Sequence, residues 1–130
     1  MIAMLAVGFA QTVVRVPTDI ATVTDALATN ARVIEVEGSL HEDVFIERSV
    51  VVRGVGGATI HTVGGWRVRH EDVTLEGLEM VGGSDVQRMI LVSEVVSGPV
   101  YLRDLSIHGQ VSDVAVFIEG GPVLMERVDI

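Results

Sequence analysis

Four histidines, His41, His61, His70 and His108, and the carboxylates Glu94, Asp104, Asp113 and Glu119 are the side chains of this sequence best equipped for chemistry. Imidazoles ligate metals, and two carboxylates at the right separation perform general acid–base catalysis. Neither group has a spacing that commits it to such a role. There is no His-x-His and no His-Glu-x-x-His, so the histidines read as solvated turn or strand-edge residues. The carboxylates read as a solvated face. His70-Glu71-Asp72 reads as a polar turn before a strand, and Gly54-Val55-Gly56-Gly57 lacks phosphate-loop spacing and also reads as a turn. Trp66 and Tyr101 have faces suited to stacking on sugars, although Trp66 is equally placed to be core. No catalytic residue is assigned from these patterns. No cofactor or metal site is expected, with Ca2+ the one weak candidate.

Composition narrows the function classes. The 130 residues are 48% hydrophobic, with only 4% aromatic, which suits one compact unit built on Val, Ile, Leu and Ala. Many β-branched residues and 14 glycines indicate strands joined by tight turns. The formal charge of -9 disfavours nucleic acid and anionic membranes as partners. It also disfavours acidic polysaccharides unless a cation bridges the two. With no cysteine, a disulfide framework is excluded. No apolar run is long enough to insert across a bilayer.

The elements that would position these residues are set by a recurring phrase. Val73-Thr74-Leu75-Glu76-Gly77-Leu78-Glu79-Met80 returns as Val100 to Ile107 and again as Val123 to Ile130, with a partial copy at Val50 to Val55. Such a period marks a solenoid. Three strand groups keep one order. Group A centres on Val52, Leu75, Leu102 and Met125, and group B on Ile60, Met80, Ile107 and Ile130, with Ile34-Glu35-Val36 as an added first member of B. Group C holds Val44-Phe45-Ile46, Trp66-Arg67-Val68, Ile90-Leu91-Val92 and Val116-Phe117-Ile118. Stacking like on like, about 4.8 Å apart, gives a coil with three sides. Gly98-Pro99 and Gly121-Pro122 then precede strand A at matched places. The outward positions Arg53, Glu76, Arg103 and Glu126 form a ladder of alternating charge that favours this register. Asp104 and Arg127 occupy matching positions one coil apart and should pair. The outward column Val51, Thr74, Tyr101, Leu124 is partly apolar and could meet a partner. The longest loops are expected at Gly82 to Arg88 and Gly109 to Asp113, between B and C.

The expected organisation has three parts. Residues 1–11 carry no charge, and Gly8-Phe9-Ala10 offers small residues for cleavage, so they read as the remnant of a signal peptide. Residues 12–31 form a cap with a short helix, started by Thr18 or Asp19, presenting Ile20, Val23 and Leu27 on one face and stopped at Asn30. Residues 32–130 form about four coils. The last coil breaks off at Ile130 within a B strand, without a polar cap, so further coils are expected beyond it.

The run from Val33 through Gly38-Ser39-Leu40-His41-Glu42 to Ile46, followed by Val50-Val51-Val52-Arg53-Gly54-Val55-Gly56, resembles the N-terminal opening of right-handed parallel β-helix proteins of the pectate-lyase-like superfamily. Gly38, Glu42 and Gly54 fit that pattern, and Leu40 stands in place of the usual Tyr. The resemblance covers residues 18–130. It implies an all-β, right-handed parallel β-helix located outside the cell, in the periplasm or on the cell surface. It also implies polysaccharide as the partner class. The superfamily's Gln-Asp-Thr-Leu, Asn-Thr-Asp and Gly-His-Gly catalytic motifs are absent. The expected function is therefore a structural or carbohydrate-interacting scaffold segment without a complete active site. The alternative is the N-terminal part of a polysaccharide lyase, glycoside hydrolase or esterase. A leucine-rich repeat fits Leu75-x-x-Leu78-x-Met80 less well, because Gly83 stands where Asn or Cys should follow.

Overall fold

The computed structural model describes residues 13–130, except the side chains of residues 84–87 and 110–114. The expected leader, residues 1–11, lies outside the described residues. The chain runs β1 (Val13–Val16), α1 (Val23–Leu27), β2 (Val33–His41), β3 (Val44–Ile46), β4 (Val50–Thr62), β5 (Trp66–Val68), β6 (Val73–Glu76), β7 (Glu79–Val92), β8 (Val100–Ile118) and β9 (Val123–Asp129). Every strand pairing is parallel. The result is an all-β parallel solenoid of about five turns with one small helix.

The three-sided coil appears in the strand registers. On side A, Val52, Leu75, Leu102 and Met125 align. On side B, Ile60, Met80 and Ile107 align, and on side C, Val44, Trp66, Ile90 and Val116 align. One expectation is corrected: Ile34-Glu35-Val36 belongs to side A, where Ile34 pairs with Val52, and the first B residue is Leu40, opposite Ile60. The chain turns from A to B after Val36 at Gly38, which takes a left-handed φ of 72°.

Alternation along each strand sends one row inward. Val16, Ile34, Val52, Leu75, Leu102, Ile60, Met80, Val44, Trp66, Ile90 and Val68 are fully buried. Each such aliphatic side chain contributes about 1.5–3 kcal/mol, so this row is the main source of stability. At the A–B corner Gly77, Asp104 and Arg127 occupy one stacked position with φ of 70°, 50° and 53°. A single left-handed residue bends the chain there, and the next residues, Leu78 and Leu105, turn inward and are buried. Asp104 and Arg127 pair across adjacent coils through Nη2–Oδ2 at 3.1 Å and a second Nε–Oδ1 contact.

The cap differs from expectation at its start. Thr22, not Thr18 or Asp19, caps α1, with its hydroxyl accepting from the Asp25 N–H at 3.0 Å. Asp19 instead closes a preceding turn by accepting from the Arg15 N–H, while its own N–H donates to the Arg15 carbonyl. The helix ends at Ala28 with φ -77°, short of Asn30. Val23 and Ala26 are buried, and Ile20 and Leu27 pack partly against the core. Glu42 anchors this cap from the B–C corner. Its carboxylate accepts from the Val23 N–H at 2.9 Å, the Thr24 N–H at 2.7 Å and the Thr24 hydroxyl at 2.6 Å.

The two long segments expected to be loops are strand. β7 and β8 run through residues 82–88 and 109–115, with Val86 opposite Val111 and Arg88 opposite Val114 after local register shifts. The excursions leave the same corner in consecutive coils, so each supplies the other's backbone hydrogen bonds.

Candidate functional site

Side B concentrates polar chemistry on the outer surface. Because Leu40, Ile60, Met80 and Ile107 point inward, their neighbours His41, His61, Val81 and His108 form an outward column. A parallel column holds Ser39, Thr59, Glu79 and Ser106. Three of the four histidines, separated widely in the chain, therefore share one face. The His41 and His61 rings stack with centroids 4.5 Å apart and planes 10° from parallel. His108 Nε2 lies 2.7 Å from Glu79 Oε2, and the Thr59 hydroxyl donates to Glu79 Oε1 at 3.0 Å. These two hydrogen bonds, His108 first, hold the Glu79 carboxyl below its ordinary pKa. His70 stands apart, its Nδ1 2.7 Å from the Glu71 carbonyl in an exposed turn.

A groove of about 410 Å³ adjoins the histidine stack, lined among others by His41, Asp43, His61, Thr62, Val63 and Val81. Its floor is built rather than incidental. The Thr62 hydroxyl donates to Asp43 Oδ1 at 2.5 Å and accepts from the Gly65 N–H at 2.9 Å, and the Val63 N–H donates to Asp43 at 2.9 Å. Partial desolvation pushes the Asp43 pKa up. The hydrogen bonds from Thr62 and from the Gly64 and Val63 backbone outweigh it and hold the group below its ordinary value.

The four carboxylates do not gather at one place: Asp104 lies at a different corner from Glu94 and Glu119, which follow paired strands of adjacent coils. Asp104 is exposed at the A–B corner and paired with Arg127, whereas Glu94 and Glu119 are exposed beyond side C. The side chain of Asp113 lies outside those described. Trp66 is fully buried on side C, its indole N–H donating to the Glu42 carbonyl at 3.1 Å, so it presents no face to a sugar. Tyr101 lies on side A with the Arg103 guanidinium 4.9 Å from its ring centre.

On the outward side A, register places Arg15, Glu35, Arg53, Glu76, Arg103 and Glu126 in one column. Arg53 lies 2.8 Å from Glu76 and 3.7 Å from Glu35, Arg103 lies 4.0 Å from Glu76, and Arg15 lies 3.3 Å from Glu35. Glu126 contacts Arg127 at 3.2 Å. Glu35, Arg53, Glu76 and Arg103 thus pair with one another along side A. No protein-family model matches the chain, and no curated protein or solved structure matches it. The site must therefore be read from its own geometry.

Sequence reasoning overlooked Glu42, Asp43, Thr62 and Glu79 as a set. The one usable signal was the coil period, which places Thr62 nineteen residues beyond Asp43, close to one turn, and Glu79 opposite Thr59. Among the described residues no group of three or more His, Asp or Glu side chains is arranged to hold a metal ion.

Proposed function

We propose that the chain is a β-solenoid scaffold of a secreted or cell-surface protein that binds an extended neutral polysaccharide across side B, without a catalytic centre. The observation that carries this reading is the composition of side B. Ser39, Thr59, Glu79, Ser106, His61 and His108 repeat hydroxyl, carboxylate and imidazole groups along the solenoid axis. The repeat, about 4.8 Å per coil, is comparable with the length of one sugar ring in an extended glycan. Neighbouring rings can then meet neighbouring coils, each ring exchanging hydroxyl hydrogen bonds with the protein. The net charge of -9 favours a neutral glycan over a polyanionic one.

Affiliation with the pectate-lyase-like superfamily rests on the opening motif, in which each matched residue has a physical task. Gly38 takes the left-handed A–B corner, Glu42 clamps α1, and Gly54 lies against the Gly77 backbone. Affinity electrophoresis against neutral and acidic polysaccharides, with and without Ca2+, tests the reading. Retardation by a neutral glycan, weakened in Thr59→Val and His108→Ala, is the expected result. Retardation by none of them would sink the binding proposal, and product release from any of them would sink the non-catalytic one.

A further inference from the structure

We infer that His41 and His61 form a two-histidine site for a borderline divalent transition-metal ion, Zn2+, Ni2+ or Cu2+, at the rim of the side-B groove. In-register pairing on β2 and β4 sets their Cα atoms directly opposite. The rings lie nearly parallel, 4.5 Å apart between centroids. Among the described residues neither ring makes a hydrogen bond, unlike His70 and His108, whose rings are committed to Glu71 and Glu79. His41 is exposed and His61 half-buried, so both ring edges can be reached from the outer face.

A metal–imidazole bond is about 2.0–2.1 Å long, so two nitrogens sharing one ion lie about 3 Å apart. In parallel stacked rings the in-plane lone pairs do not converge, so binding one ion requires both rings to rotate out of the stack about their side-chain bonds. Imidazole pairs favour Zn2+, Ni2+ and Cu2+ over the oxygen-seeking Ca2+ and Mg2+. The surroundings favour a cation: Asp43 stands in the same groove, and the whole chain carries -9. Two protein ligands leave the remaining positions to water, so the site is a moderate-affinity one. An ion held there would bridge two successive coils on side B. It would stabilise the fold, because it binds the paired strands and not the unfolded chain. This inference does not depend on carbohydrate binding, since it requires only the two rings.

The test is a titration of the untagged 130-residue chain with NiCl2, ZnCl2 and CuCl2. Calorimetry reads the stoichiometry, and 15N-detected histidine NMR reads the ligands. One ion per chain is expected, with the His41 and His61 ring signals shifting and those of His70 unmoved. The melting temperature should rise with added metal. Affinity should weaken on acidification, because a protonated ring nitrogen has no lone pair to give. His41→Ala and His61→Ala should each cost about tenfold or more in affinity and abolish the metal-dependent rise in melting temperature. His70→Ala should change neither. Both side chains lie on the outer face of side B, so the variants should fold, which circular dichroism checks. No saturable binding, or binding undiminished in both His41→Ala and His61→Ala, would overturn the inference. A loss confined to His108→Ala would overturn it too, by moving the site to the His108–Glu79 pair.

Discussion

Asp43 keeps its charge because the corner it occupies supplies donors to it. The Thr62 hydroxyl and the backbone N–H groups that follow hold its carboxylate below its ordinary pKa despite partial burial. A group depressed in the folded state stabilises the fold fully above its unfolded pKa, and that contribution is lost as pH falls through the folded value. Thr62→Val should therefore raise the Asp43 pKa, seen in a carboxyl 13C titration, and should flatten the acid limb of the stability–pH profile in the acidic carboxylate range. An unchanged Asp43 titration would show that Thr62 is not the controlling donor. The pairing is invisible in local sequence, since its partners are nineteen residues apart. Asp104 and Arg127 were easier to read, because both occupy the same place in the recurring phrase and a one-coil offset brings them together. Trp66 shows the opposite case. Its type suits both a sugar platform and a core, and only its alignment with inward-facing Val44 and Ile90 decides.

At the scale of elements, corners determine what the strands do. Gly54, on β4, approaches the next coil so closely that a Cβ there would sit 2.1 Å from the Gly77 carbonyl oxygen. Backbone cannot yield as a flexible side chain can, so Gly54→Ala must push β4 and the following corner apart. We expect a loss of at least about 1–3 kcal/mol, the usual cost of overpacking, read by urea denaturation. A wild-type midpoint would mean that the corner is looser than this contact implies. Corners also decide the elements that local sequence leaves open. Ile34-Glu35-Val36 is strand-like in either group, and its place on side A follows from pairing with Val52 to Gly54. Residues 82–88 and 109–115 look like loops one at a time, and they become strand because adjacent coils extend at the same corner and pair. The helix start moved to Thr22 because Asp19 was already committed to Arg15.

The molecule as a whole has two unlike ends. At one, α1 covers the first coils and buries Val23 and Ala26. At the other, the inward row comes to the surface: Met125 is 46% exposed and Ile118 45%, whereas their counterparts Leu102 and Val92 are fully buried. Among the described residues β9 pairs with β8 alone and presents its other edge. The 130-residue chain should therefore associate through this face. Sedimentation velocity should show species larger than the 13.9 kDa chain that grow with concentration, and Met125→Glu should shift the distribution toward monomer. A single monomeric species at all concentrations would refute it.

By itself the sequence determined the solenoid: the recurring Val-x-Leu-x-x-Leu phrase, with inward positions always apolar, permits few arrangements other than stacked coils. It also marked Arg53, Glu76, Arg103 and Glu126 as one outward column, because a single period carries all of them. Only the tertiary structure decided the site. Whether His41, His61, Thr59, Glu79 and His108 meet depends on the lengths of the corners between them, which vary from coil to coil. Adding or removing one corner residue moves a side chain to another position or another face. Periodicity conveys which residues point inward, whereas proximity on the outer face is set by corner length and register and exists only once the coils have stacked.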